Sequence, residues 1–101
     1  MAFTPIVKEK KINGVTYKAQ FCGISMREEI GYLSSENVRK VAPYLFENVL
    51  VEPKIDNVDE HFGVDAGTYD AVTTFLLEVG RADPKYFPRT AEKSNGAKGK
   101  E

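Results

Sequence analysis

The residues best equipped for chemistry stand close together. The stretch "KIDNVDEHFG" (54–63) holds Asp56, Asp59, Glu60 and the single histidine of the chain, His61. Carboxylates beside an imidazole are the donor set of a metal site or of a general acid–base pair. Spacing argues against both. A calcium loop needs acids at alternate positions and then a glycine turn, and Val58 occupies the place of the third ligand. Asp56 with Asp59, or Asn57 with His61, has the three- or four-residue separation of two ligands on one helix face, but no second cluster completes a coordination sphere.

The same residues fit the start of a helix. Asn57 is a good N-cap with Glu60 three positions on, and acids in the first turn complement the helix dipole. Val58 and Phe62 then point inward and Gly63 ends the turn. This reading predicts no catalytic residue, no metal and no cofactor. The remaining chemistry is sparse. Cys22 is the only cysteine, which excludes an internal disulfide and any zinc site of paired thiolates, and it reads as a small, partly buried thiol. There is no glycine-rich phosphate loop and no nucleophile elbow.

The whole chain of 101 residues is 42% hydrophobic and 29% charged, as expected of one globular domain. Its longest apolar runs fall far short of the roughly 20 residues of a membrane span. The N-terminus has no basic-then-apolar pattern, so a cytoplasmic protein is expected. A net charge of -1 is unlike a nucleic-acid binder, although Lys8, Lys10, Lys11 and Lys18 gather in the first segment.

That segment, "VKEKKINGVTYKAQFC", carries the strongest local signal. Asn13-Gly14 supplies the positive φ angles of a two-residue hairpin turn. The turn sets the register: Ile12 opposite Val15, Lys10 opposite Tyr17, Lys8 opposite Ala19 and Ile6 opposite Phe21. Ile6, Ile12, Val15, Tyr17, Ala19 and Phe21 share one face, and Glu9 faces Lys18 as a cross-strand pair. A hairpin alone is marginal in water, so helices must cover its apolar face.

Ser25 and Glu28 match a capping box, Met26, Ile30 and Leu33 form a stripe, and Gly31 weakens the helix. Ser34-Ser35 offers the next N-cap. From Val38 to Leu50 apolar residues recur at helical spacing, in phase across Pro43, which predicts a kink or two abutting helices. Pro53 ends the run. The last helix is predicted to start with Thr68 as N-cap, to bury Val72, Phe75, Leu76 and Val79, and to stop at Gly80. "PKYFP" (84–88) is expected to fold back through Tyr86 or Phe87.

The expected fold class is α+β, an N-terminal β-hairpin on a small bundle of about four helices. The domain spans 1–88, with the hairpin at 5–22 and helices at 25–34, 35–51, 57–62 and 68–80. Residues 89–101, without hydrophobic pattern, read as a flexible, disordered tail.

This order of elements resembles the tail assembly chaperones of long-tailed bacteriophages and prophages. The likeness covers roughly residues 10–82 and rests on the hairpin "INGVTYKAQF", the Val51-Glu52-Pro53 step, the Phe62-Gly63 turn and the closing helix Val72–Val79. It implies a protein without enzymatic activity in the cytoplasm of the bacterial host. Such proteins bind the tape-measure protein, keep its apolar helices soluble, and help recruit the major tail protein as the tube polymerises. Self-association is a further implication, since tail proteins often form rings or filaments. A holdase needs apolar surface in a charged surround, and the prospective partner contacts are Tyr32, Tyr44, Phe46, Leu50, Phe62 and Phe75. The alternatives are a structural virion or head–tail joining protein, and a nucleic-acid-binding regulatory module working through the lysines of the hairpin.

Overall fold

The computed structural model describes residues 4–87. The Asn13-Gly14 turn, with φ of 51° and 83°, joins β1 (Ile6–Ile12) to β2 (Val15–Phe21). Every pair predicted from that turn is present, from Ile12–Val15 to Ile6–Phe21. Ile12, Tyr17, Ala19 and Phe21 are buried, while Ile6 and Val15 lie at the margin. The fold is α+β, as expected, but its sheet has three strands in the order β1-β2-β3.

The third strand is the main correction. In place of a kinked helix or two abutting helices over 35–51, the chain forms a 3₁₀ turn (Val38–Lys40), a short α2 (Val41–Tyr44), a π-helical turn (Leu45–Val49) and then β3 (Leu50–Glu52). Pro43 falls in the first turn of α2, where backbone donors have no intrahelical partner, so the proline marks a restart. The π turn closes on the Leu50 N–H, which donates to the Leu45 carbonyl, and the chain then becomes extended. β3 satisfies the second edge of β2, pairing Ala19 with Leu50 and Lys18 with Glu52, so that Val51 is an extra residue on the β3 side. Lys18 takes Glu52 as its ion-pair partner at 3.6 Å, although Glu9 is its neighbour across β1. The Glu52–Pro53 peptide is cis.

Helix α1 (Ile24–Glu36) begins two residues earlier than a capping box at Ser25 requires. Its N-cap is Gly23, at a φ of 120°, and no side chain caps it. It runs on through Ser34 and Ser35, so neither of them starts a helix, and it buries Met26, Ile30 and Leu33 as predicted. The helix α3 (Val58–Phe62) has the predicted cap: Asn57 Oδ1 accepts the Glu60 N–H at 3.1 Å. The long α4 (Ala66–Gly80) is capped by Asp65, not Thr68. Asp65 accepts the Thr68 N–H at 3.0 Å and its hydroxyl at 2.6 Å, which moves the start of the helix back.

Val72, Phe75, Leu76 and Val79 are fully buried where α4 crosses the sheet. Gly80 is the last residue of α4 but not a turn glycine, since the positive φ falls on Ala82. A Cβ at Gly80 would lie 2.5 Å from Ile30 Cδ1 and 3.3 Å from Val49 Cγ2, so the glycine is needed for close approach. Both Tyr86 and Phe87 fold back, against Phe75 and Phe21 at 5.5 and 5.4 Å between ring centroids. Cys22 is free and half-buried. No described helix is long and apolar enough to cross a membrane. The predicted tail, 89–101, lies outside the described residues.

Candidate functional site

The corner between β3 and α4 holds the histidine and three aromatic rings in mutual contact, Phe46, Phe62 and Tyr69. Two short-range caps build it. Asn57 starts α3, Gly63 closes it at a φ of 59°, and Asp65 at once starts α4. The tight connection sets Phe62, at the end of α3, against Tyr69, in the first turns of α4, edge to face at 5.3 Å. The π turn supplies the third ring. Phe46 stacks on Tyr69 at 6.0 Å and lies 6.1 Å from Phe62. Asn48 steadies that turn by donating from Nδ2 to the Tyr44 carbonyl at 3.1 Å.

Planar rings meeting at these angles leave gaps between them. A hollow of about 570 Å³ opens on one side, lined by Pro43, Phe46, Ile55, Val58 and Tyr69. A second, of about 410 Å³, is lined by Val58, Phe62, Val64 and Tyr69. Glu47, Asp56 and Lys54 border the first, Asp59 and Asp65 the second. Val64 is fully exposed at the edge. A larger hollow of about 710 Å³ lies between the start of α1 and the end of α4, but its rim mixes Arg27 and Arg81 with Glu78 and Asp83. The aromatic corner has an apolar floor and a rim mainly of one sign, and is the better-defined candidate.

His61 belongs to a polar strut that joins this corner to the sheet. Its Nε2 and the hydroxyl of Tyr17 are 2.9 Å apart, tying α3 to the middle strand. Asn13 Nδ2 donates to Asp65 Oδ2 at 3.2 Å and ties the hairpin turn to the start of α4. Burial, and secondarily the Asp65 charge, raises the pKa of Tyr17. A phenol used as a base would need the opposite shift. The side-chain and backbone hydrogen bonds from Thr68 lower the pKa of Asp65, so it serves as an ionised cap. Among the described residues no three His, Cys, Asp or Glu side chains gather as metal ligands.

The six prospective contacts fall into three groups. Leu50, Phe62 and Phe75 are buried in the core, at 7%, 8% and 0% exposure, and offer little surface. Tyr32 is 61% exposed on α1, away from the other rings. Tyr44 and Phe46 are half-buried against the core, and Phe46 alone of the six lines the first hollow. The sequence reading did not pick out Val58, Val64 and Tyr69, which line the hollows. Tyr69 lay one turn ahead of the Val72 stripe and read as its beginning; nothing in the pattern marked Val64.

The lysine cluster of the hairpin is divided between the two faces of the sheet. Lys8 sits on the core side with its Nζ 5.2 Å from the centre of the Phe87 ring. Lys11 and Lys18 are on the opposite side, Lys18 paired with Glu52. A phosphate backbone would not meet all four at once. Comparison of the chain with protein-family models, with curated proteins and with solved structures finds no match.

Proposed function

We propose that this chain is an assembly chaperone of a long-tailed phage or prophage, acting without catalysis in the bacterial cytoplasm. On this reading it binds the tape-measure protein, keeps it soluble and passes it on to the tail-tube protein. The supporting observation is the aromatic corner: Phe46, Phe62 and Tyr69 in mutual contact beneath two open hollows, beside the exposed Val64. Open apolar relief with a charged border is what a holdase requires. The likeness of the hairpin, the Val51-Glu52-Pro53 step and the closing helix to that family supports the same conclusion.

Co-expression tests it. The long tape-measure protein of the same phage or prophage is produced with and without this chain, and its soluble fraction is measured. A clear rise with the chain present is expected. An unchanged soluble fraction removes the proposal. Retention of the chain in purified particles would instead indicate a structural virion component.

A further inference from the structure

The two hollows of the corner share Val58 and Tyr69, so they are compartments of one groove. Its walls come from α2, the π turn, α3, the α3–α4 link, the start of α4 and the loop between Pro53 and Asn57. No strand edge lines it, so an extended peptide has no ladder to join there, and recognition falls to side chains. The rim is strongly biased in charge. Between Glu47 and Asp70 the chain carries seven carboxylates and a single lysine, Lys54, although the whole protein has a net charge of only -1. Four of those carboxylates, on Glu47, Asp56, Asp59 and Asp65, line the groove, against the one lysine, Lys54.

We infer that this groove docks an amphipathic helix of another protein, with its apolar stripe seated along Phe46, Val58 and Tyr69 and its flanks carrying lysine or arginine. The inference rests on the proposal that the chain grips another polypeptide, and it adds the place and the chemistry. Apolar burial supplies the adhesion, while the rim selects the partner by charge and speeds the encounter. An acidic helix of the same hydrophobicity is disfavoured because it would set carboxylates against carboxylates, and a neutral one gains no charge pairing at the rim.

Two synthetic helical peptides test this on the full-length chain. Both carry the same leucine and phenylalanine stripe; one has lysines on its flanks, the other glutamates. Fluorescence anisotropy at low salt is expected to show the lysine peptide binding roughly tenfold tighter or better, with the margin closing at high salt. Amide shifts in NMR spectra should centre on Val58 and Tyr69. The double variant Glu47→Lys/Asp56→Lys changes two exposed side chains, so circular dichroism should be unaltered while the preference reverses toward the glutamate peptide. Equal affinities, no binding of either peptide, shifts centred elsewhere, or an unreversed preference each overturns the inference. The outcomes separate from those of co-expression. Charge-selective peptide binding without any effect on the tape-measure protein leaves the groove and removes the chaperone. Solubilisation that the charge-reversed variant performs equally well does the converse.

Discussion

The two ends of α4 meet their neighbours in opposite ways. At the C-terminal end, Val79 is fully buried and Gly80 leaves no room for a methyl group between itself and Ile30. At the N-terminal end, Tyr69 is half-buried, and the rings it touches leave a groove open to solvent. Branched aliphatic side chains interlock and close their gaps. The aromatic rings here meet edge to face, tilted and stacked, with centroids 5.3 to 6.1 Å apart, and leave grooves between their planes. One helix thus serves as core at one end and as the wall of a groove at the other, and the change follows from which side chains it carries.

The comparison can be broken at either end. The largest effect is expected from Phe75→Ala, which removes a fully buried ring in the middle of α4. A loss of about 3–5 kcal/mol should show in urea unfolding, enough to threaten a domain of this size. Phe46→Ala, in the groove, should cost only about 1–2 kcal/mol because the ring is already half in water. If both cost the same, the distinction between core and groove is wrong.

Two glycines sharpen the tight end. Gly80→Ala gains helix propensity but drives a Cβ into Ile30, and a net loss of about 1–2 kcal/mol is expected. Ile30→Val removes the atom that blocks it, so the double variant should lose less than the two single losses combined. Gly31→Ala, on the open side of α1, should instead gain up to about 1 kcal/mol. Thermal melts of these four variants provide the check.

The smallest expected effect concerns the strut that holds the groove end to the sheet. Tyr17→Phe deletes the hydroxyl facing His61 Nε2 and should cost about 1 kcal/mol at neutral pH. Its pH dependence has a definite sign. The folded state holds the phenolic proton more tightly than the unfolded chain, chiefly through burial. The stability from Tyr17 is therefore complete below the ordinary phenol value of 10.0 and is lost as pH rises through the higher folded value. Unfolding midpoints measured up to strongly alkaline pH should fall less steeply for the variant than for the natural chain.

Much of the fold was legible because it depends on neighbours in sequence. Asn13-Gly14 dictates the hairpin register, the period of Met26, Ile30 and Leu33 marks the buried side of α1, and Asn57 with Glu60 announces α3. Where two local solutions compete, sequence was a poorer guide. Asp65 and Thr68 are both good caps, and the hairpin turn, which reaches Asp65 through Asn13, lies beside the one adopted. The apolar run ending in Leu50 and Val51 suits a helix or a strand equally, and the vacant edge of β2 selected the strand.

The candidate site was legible only in fragments. Phe46 and Phe62 stood out as aromatic residues, but nothing in their spacing places both beside Tyr69, which requires the π turn and the tight α3–α4 link. The acidic rim was visible as a run of carboxylates around His61, and the local caps explained that run without any groove.

The order of residues by itself settled the hairpin, the helical stripes and the α3 cap, since turn geometry and side-chain periodicity act over a few positions. Only the folded chain decided that Leu50–Glu52 completes the sheet, that Gly80 is present for its missing side chain, and that three rings from separate elements open a groove. Those outcomes depend on which distant surfaces are left to be paired, and no local pattern carries that information.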